Sequence, residues 1–308
     1  MDNMDNRFVF VEHSDADSEH IAAPTYSYWK SVFKRFFSSK VAIFMLVVSL
    51  FVILMAIFQP IISQYNHASM ANVNNFETHN IRPNLTYLFG TDNSGRSLFD
   101  AVWAGTRTSL KISFTATLIV TVVGVIVGAF WGYSKKIDVF MIELYNIIAN
   151  VPFTLIAMVM MYILGPGVWQ LIFALSCTTW LSTAYFIRVQ VMIIRDREYN
   201  LASRCLGTPV YKVILHNVLP FLISVIVTVV SRDVPSFISY EVFLSYLGIG
   251  LNKNVASLGA LIQDYSQYMD SAGYLFWIPV AISALISISL YIVGQTLADA
   301  SDPRTHMI

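Results

Sequence analysis

Long apolar segments alternate with polar ones along this chain. They cover about residues 41–62, 110–133, 143–164, 168–187, 219–247 and 274–297. The hydrocarbon core of a bilayer is about 30 Å thick, and a helix needs about 20 residues to cross it. Each apolar segment meets that length. The pattern therefore predicts an all-α integral membrane protein with six transmembrane helices.

The polar stretches between these segments predict how the chain is divided. We expect a cytoplasmic tail and basic flank over 1–40, a first transmembrane helix over 41–62, an extracellular loop over 63–109, a core of five helices over 110–297 that includes a cytoplasmic loop over 188–218, and a cytoplasmic C-terminus over 298–308. The first 28 residues are acidic and show little periodicity, which is typical of a mobile tail.

The orientation follows from the distribution of lysine and arginine. Thirteen of them fall in 1–40, 134–142, 188–218 and the C-terminal tail, whereas four fall in the loops of the opposite side. Cytoplasmic loops carry the excess of these residues, so both termini are predicted to be cytoplasmic. The composition agrees with a membrane protein: 12% of the residues are charged and 56% are hydrophobic, whereas about 25% are charged in soluble proteins.

Two of the central helices carry distinctive small or polar residues. In the second, Gly124, Gly128 and Gly132 recur every four residues, which favours close packing against another helix. In the third, four polar residues share a face at helical spacing, and Pro152 predicts a kink. Both hydrogen bonding to a neighbouring helix and lining of a water-filled path would explain a polar face in lipid. These four residues are Glu143, Asn146, Asn150 and Thr154.

The fifth helix carries a charged pair in the middle of an apolar segment. Arg232 is expected to face the protein interior or a cavity and to have a partner. Adjacent side chains on a helix diverge by about 100°, which makes Asp233 an awkward partner. Arg232 therefore predicts either an ion pair with another subunit or the lining of a path. The same face carries Thr228, Ser236 and Ser239.

The polar stretch over 195–220 is too short to form a domain, yet it lies between two apolar segments. A short amphipathic helix is predicted here, and Gly207 is placed to end it. Its apolar patch, ringed by arginines, is suited to docking a cytoplasmic partner, although an ordinary connector between two spans would also have this position. The patch comprises Tyr199, Leu201, Ala202 and Leu206.

Several motifs of the chain resemble those of one transporter group. Leu201-Ala202-Ser203, Gly207 and Leu219-Pro220 are similar to the "EAA" loop of ABC-importer permeases, without its glutamate and isoleucine. Gly90-Thr91-Asp92 with Gly95-Arg96 resembles the G-T-D-x-x-G-R element of the oligopeptide, dipeptide and nickel permeases. Further matches extend in the right order to Asp302-Pro303-Arg304. The chain is most similar to the second permease of an oligopeptide importer.

This resemblance implies a type I permease core of five helices preceded by one extra helix, in the bacterial cell membrane. It implies a heterodimer with a second permease, two cytoplasmic ATP-binding subunits, an extracellular peptide-binding lipoprotein and a peptide substrate, with no nucleic-acid partner. The sequence contains no G-x-x-x-x-G-K-[ST] loop, so the chain is expected to be a transport subunit without a cofactor. ATP and Mg would be bound by the partner ATPases.

The resemblance also implies roles for individual residues. Those expected to contact the ATPases are Glu198, Tyr199, Leu201, Ala202, Ser203, Arg204, Leu206 and Gly207. Glu241 lies opposite Arg232 on the fifth helix and is a candidate for the permease interface.

Other transporter classes remain open at this point. Dipeptide and nickel permeases share the same motifs, but a nickel path would be expected to carry more His, Cys or carboxylate residues in the spans. A secondary transporter that works without ATP would often show an internal repeat and discontinuous helices. Pro152 and Pro235 only hint at broken helices.

Overall fold

Eleven α-helices form the main regular structure of residues 27–69 and 72–301, which are the residues described by this computed structural model. The helices are α1 (Tyr28–Phe36), α2 (Lys40–Ser63), α3 (Leu98–Tyr133), α4 (Lys135–Ala149), α5 (Phe153–Leu164), α6 (Val168–Arg195), α7 (Glu198–Cys205), α8 (Val210–Val213), α9 (Ile223–Tyr246), α10 (Leu258–Tyr265) and α11 (Gly273–Ser301). The predicted N-terminal tail up to residue 26 and the last motif match, at 302–304, lie outside the described residues.

The predicted membrane-spanning fold is confirmed. In the part of the chain that the structure describes, five helical stretches are long and apolar enough to cross a bilayer: α2, α3, α6, the stretch Val210–Tyr246 and α11. Helices α4 and α5 pass the same test together, although they are bent by 82° relative to one another. With this pair counted as one span, the structure has the six predicted.

Helix α3 begins twelve residues earlier than the apolar pattern predicts. The Ser97 hydroxyl accepts a hydrogen bond from the backbone N–H of Asp100 and caps the helix. The first turns are buried although they contain polar residues, because Leu98 and Val102 pack against Leu258 of α10 and Leu275 of α11. The predicted loop over 63–109 therefore ends at residue 97. At 36 residues, α3 is about 54 Å long, which exceeds the thickness of the hydrocarbon core.

The predicted single helix over 143–164 is instead two helices. Helix α4 ends at Ala149 and α5 begins at Phe153, with Pro152 in an extended conformation between them. Proline lacks a backbone N–H and disfavours helical geometry at the preceding residue, so the chain turns sharply here rather than kinking. The predicted polar face is divided as a result: Thr154 lies on α5, whereas Glu143 and Asn146 lie on α4.

The predicted cytoplasmic loop over 188–218 is largely helical. Helix α6 continues to Arg195, α7 covers Glu198–Cys205, and helical backbone begins again at Val210. A π-helical turn over Ile214–Val218 and a 3₁₀ turn over Leu219–Leu222 lead into α9. Pro220 cannot donate to the carbonyl four residues before it, and the change in hydrogen-bond pattern around it keeps the helix continuous.

Close contact between α3 and α6 holds the centre of the bundle together. Gly124, Gly128 and Gly132 all face α6, as predicted. A Cβ atom on Gly128 would lie 2.5 Å from the carbonyl oxygen of Ala184 and 2.8 Å from the Cβ of Ile187. Only glycine allows the two backbones to approach this closely.

The connection between α2 and α3 folds around one buried carboxylate. Asp92 accepts hydrogen bonds from the backbone N–H groups of Ser94 and Arg96, at 2.9 and 2.8 Å, and from Arg96 Nε at 2.7 Å. It also accepts one from the Tyr265 hydroxyl of α10 at 3.1 Å. The G-T-D-x-x-G-R motif therefore fastens this connection to the bundle.

Candidate functional site

Helix α7 stands at one end of the bundle, directly after α6. Asn200 is buried and its side-chain amide donates to the carbonyl of Ile194, at 2.9 Å, which fixes α7 to the end of α6. Gly207 has φ of +79°, and its N–H donates to the carbonyl of Arg204. Glycine adopts this left-handed conformation readily, so Gly207 ends the helix as predicted.

The predicted docking residues lie on the outside of α7. Tyr199, Leu201 and Leu206 are exposed, and Leu206 is 86% exposed. The exposed residues of the set also include Glu198, Ala202, Arg204 and Gly207, with Ser203 half-buried. An exposed apolar cluster of this kind on a monomeric chain marks a surface for a partner.

Two contacts of the predicted docking residues hold α7 against the rest of the bundle. The Asn217 amide donates to the Ser203 hydroxyl at 3.0 Å, and the Arg204 guanidinium lies over the Tyr133 ring at 5.9 Å. Asn217 stands where the EAA pattern has isoleucine, and its side chain makes a hydrogen bond at this position. Ser203 and Arg204 thus also have roles within the bundle.

Sequence reasoning missed part of this surface. Val210, Tyr211 and Leu215 follow the turn after α7 and are also exposed. They widen the apolar surface beyond the predicted patch. The sequence carried a signal for this surface, since five apolar residues lie between Gly207 and His216: Val210, Tyr211, Val213, Ile214 and Leu215.

The polar residues of α4 lie on the surface of this chain. Asn146 and Asn150 are exposed, and the Asn150 amide donates to the carbonyl of Asn146 on its own helix, at 2.5 Å. A cavity of about 290 Å³ opens at the turn between α4 and α5. Its lining includes Tyr145, Pro152, Phe153, Thr178 and Ser182.

The charged pair of α9 differs from the prediction in two ways. The Arg232 side chain is 62% exposed, so it does not face the interior of this chain, and its Nε lies 3.6 Å from Asp233 Oδ1. The long side chain of Arg232 bends back toward Asp233 although adjacent residues diverge by about 100° around a helix. The prediction considered the backbone geometry and not the length of the side chain. Asp233 itself is mostly buried.

Arg232 lies in a groove between α9 and α11. The groove has a volume of about 450 Å³, and its lining includes Ser236, Ser239, Ser287 and Tyr291. The hydroxyls of α9 donate to carbonyls one turn earlier: Thr228 to Ser224, Ser236 to Arg232 and Ser239 to Pro235. Such bonds satisfy the hydroxyls within the helix, so the polar face needs no partner in this chain.

Glu241 is not at a surface, which corrects its assignment to the permease interface. It is fully buried and accepts hydrogen bonds from the hydroxyls of Ser109, at 2.6 Å, and Ser245, at 2.9 Å. Ser109 in turn accepts from the backbone N–H of Leu258, at 3.1 Å. The carboxylate therefore joins α3, α9 and the start of α10 inside the chain.

A second ion pair, which sequence reasoning missed, attaches α4 to the bundle. Arg188 of α6 donates to both oxygens of Asp138, and Trp131 Nε1 donates to the same carboxylate at 2.8 Å. Tyr145 stacks on Tyr185 with ring centroids 4.3 Å apart. Tyr185 occupies a position where arginine is frequent in the resembled group, and its stacking gives it a structural role here.

Comparison of the chain with known proteins shows its family. The family described as "Binding-protein-dependent transport system inner membrane component" matches residues 120–307. The chain belongs to this family. The family described as "N-terminal TM domain of oligopeptide transport permease C" matches residues 27–83, so the two matches divide the chain into an N-terminal part and a transport core.

Individual members of this family align with nearly the whole chain. It is 52% identical to the oligopeptide transport system permease protein AmiD of Streptococcus pneumoniae, over 97% of both chains. It is 31% identical to the oligopeptide permease OppC of Bacillus subtilis over 97% of both chains. Identity to the dipeptide permease DppC of the same species is 30%, over 97% of this chain and 93% of that one.

Proposed function

We propose that this permease is the second membrane subunit of an ATP-driven oligopeptide importer. The observation that carries the proposal is the 52% identity, over 97% of both chains, to a protein named as an oligopeptide permease. The substrate class is transferred on this likeness. A dipeptide importer is the second candidate, because a dipeptide permease is 30% identical over a similar length.

The proposed assembly contains a second, different permease, two ATP-binding subunits and an extracellular peptide-binding lipoprotein. The chain lies in the bacterial cell membrane with both termini in the cytoplasm, which the lysine and arginine distribution supports. ATP and Mg bind to the ATPases, and this chain is a transport subunit that performs no catalysis. Alternating access requires an element with two states that the ligands bias, and the permease heterodimer is that element.

Helix α7 is the proposed contact with the ATPases. Its exposed apolar residues fit a partner groove. The buried Asn200 and the Asn217–Ser203 hydrogen bond fasten it to α6 and to the segment before α9. A movement of the ATPases would therefore reach both spans through α7. Asn146, Asn150 and the Arg232 face are proposed to lie along the peptide path or against the second permease.

The docking role is tested by Leu206→Asp in the full assembly. Leu206 is 86% exposed, so the variant should fold normally while placing a charge in a desolvated apolar contact. Burial of an unpaired polar group costs about 1–3 kcal/mol in mutational data, which corresponds to a loss of ATPase affinity of roughly 5-fold to 150-fold. Co-purification of the ATP-binding subunits and peptide-stimulated ATP hydrolysis are measured.

Leu85→Asp is the matched control for this experiment. Leu85 is 98% exposed and lies in the α2–α3 connection, so its substitution should leave co-purification of the ATPases unchanged. Normal ATPase binding by the Leu206 variant would contradict the docking role. Uptake of labelled dipeptides, longer peptides and nickel by the unmodified assembly decides the substrate class separately.

A further inference from the structure

Within the described residues, helix α1 packs against the bundle through the face that carries Val32 and Phe36. Val32 and Phe36 are buried in a cluster that includes Ala300 of α11. The Tyr28 hydroxyl donates to the carbonyl of Ser301 at 2.8 Å. These contacts hold the nine residues of α1 against the end of α11.

A stripe of exposed aromatic side chains runs along the outside of α1. Trp29, Phe33 and Phe37 recur every four residues, which places them on one side of the helix. They are 48%, 51% and 53% exposed, and the rings of Trp29 and Phe33 lie 6.4 Å apart. Three large aromatic side chains at one exposed face are unusual for a surface in contact with water only.

Positive charge lies beside this stripe. Lys30 and Lys34 are exposed and follow the aromatic positions by one residue, so they lie along its edge. Residues 27–40 contain no aspartate or glutamate. The face therefore combines aromatic rings with two exposed lysines.

The apolar surface continues from α1 into a transmembrane helix. Val41 and Phe44 of α2 follow the stripe closely in sequence and are 59% and 63% exposed. An 18-residue window within helix α2 has a mean hydropathy of 3.2, and 22% of that window is buried inside the chain, so the outer face of α2 is suited to contact with lipid. Because α2 begins at Lys40, shortly after Phe37, the surface of a bilayer around α2 would lie near the stripe of α1.

We propose that α1 is a membrane-surface helix that binds anionic phospholipid. Tryptophan and other aromatic rings favour the headgroup level of a bilayer, where the stripe would be inserted. Lysines at the edge of such a helix extend to the phosphates. Each lysine near an anionic surface contributes about fivefold to binding, from an interaction of about 1 kcal/mol.

The experiment places a fluorescent probe on the stripe of the full chain. Both cysteines, Cys177 and Cys205, are free and are replaced by alanine. A single cysteine is introduced as Phe33→Cys or, as a control away from the stripe, Ser38→Cys, and is labelled with an NBD group. The protein is reconstituted in nanodiscs of two compositions. One contains phosphatidylcholine alone, and in the other about 30% of the lipid is anionic phosphatidylglycerol, which gives the surface a negative potential.

Quenching by lipids that carry a doxyl group near the headgroup is then compared with quenching by aqueous iodide. We expect lipid quenching at least twofold stronger at position 33 than at position 38, and stronger with phosphatidylglycerol than without it. Lys30→Gln with Lys34→Gln should remove at least half of the increase due to phosphatidylglycerol. Lys135→Gln with Lys136→Gln removes the same charge from the exposed start of α4 and should leave the probe unchanged.

Three outcomes would overturn the proposal. Strong iodide quenching at position 33 in both lipid mixtures would mean that the stripe stays in water. Weak quenching by both iodide and doxyl lipid would mean that protein covers the stripe, either the N-terminal residues or another subunit. Equal quenching with and without phosphatidylglycerol would contradict the requirement for anionic lipid.

Discussion

At the scale of single residues, Asp92 is the group on which the α2–α3 connection depends. Its carboxylate is buried and pairs with Arg96. Removing one partner of a buried ion pair costs about 3–5 kcal/mol, because the other charge is left uncompensated. We expect Asp92→Asn to raise the rate of proteolysis of this connection about 100-fold, since 1.4 kcal/mol corresponds to a factor of ten.

Asp270→Asn serves as the control for that measurement. Asp270 is exposed and follows α10, so the same chemical change is made there without burial. Limited proteolysis of the purified chain in detergent compares the two variants. Equal cleavage rates would show that the Asp92 cluster does not hold the connection.

His67 makes the same region sensitive to pH. Burial and the nearby Arg96 guanidinium lower the pKa of His67 to about 4, compared with about 6.5 in an unfolded chain. Its neutral form is favoured in the folded state, so stability is complete above about pH 6.5 and decreases as the pH falls toward 4. Protonation would also disturb the 2.9 Å hydrogen bond between His67 Nδ1 and the Tyr65 hydroxyl.

We therefore expect cleavage of the α2–α3 connection to rise as the pH is lowered from 6.5 to 4.5, by up to about tenfold per pH unit. His67→Asn should make the profile flatter, whereas His79→Asn, in the same connection, should retain it. The measurement is limited proteolysis with an acid-tolerant protease, corrected for its own pH dependence. A profile that is unchanged by His67→Asn would contradict the assignment.

At the scale of whole elements, the packing of α3 on α6 depends on three glycines. Gly128→Leu would place a Cβ 2.5 Å from the Ala184 carbonyl and add a branched chain beyond it. Overpacking of this kind costs about 1–3 kcal/mol or more. We expect a thermal midpoint several degrees lower, since 1 kcal/mol corresponds to about 2–4 °C in a chain of 150–250 residues.

Gly273→Ala is the matched control for the glycine test. A Cβ at Gly273 would meet its nearest atom at 3.6 Å, an ordinary contact, so the midpoint should not fall. The thermal midpoint is measured by fluorescence-detected size-exclusion chromatography after heating. An unchanged midpoint for the Gly128 variant would mean that α3 and α6 are farther apart than the structure places them.

At the scale of the whole molecule, the exposed face of α9 should be covered by another subunit or line the proposed path. Arg232 has an ion-pair partner in this chain, but most of its side chain is exposed within a span. Such residues normally face protein or a water-filled cavity. We expect Arg232→Met to lower heterodimer yield or peptide uptake by on the order of tenfold, equivalent to about 1.4 kcal/mol.

A double variant separates the possible causes of that loss. Arg232→Met leaves Asp233 without its partner, whereas Arg232→Met with Asp233→Asn removes both charges. If the double variant recovers heterodimer yield and peptide uptake, the loss in Arg232→Met is caused by the unpaired Asp233 carboxylate and not by the missing guanidinium. If the double variant still loses yield or uptake, Arg232 itself contacts another subunit or lines the path. Normal heterodimer yield and uptake by the single variant would contradict both of these roles.

The apolar pattern by itself determined the membrane-spanning fold. Segments of about 20 apolar residues have one stable arrangement in a bilayer, so the spans could be placed from the sequence. The close packing at the glycines of α3 and the end of α7 at Gly207 could also be predicted from the sequence, because both depend on local backbone geometry. The motif matches led to the permease family for the same reason: they are properties of short stretches.

Only the tertiary structure decided which polar residues face inward. Glu241 and Arg232 lie on opposite sides of α9, but helical spacing does not tell which side is buried. The serine hydroxyls around Glu241, the Asp92 cluster and the Asp138–Arg188 pair join residues distant in sequence. The angle between α4 and α5 and the burial of the first turns of α3 were likewise set by packing against other helices, which no single segment encodes.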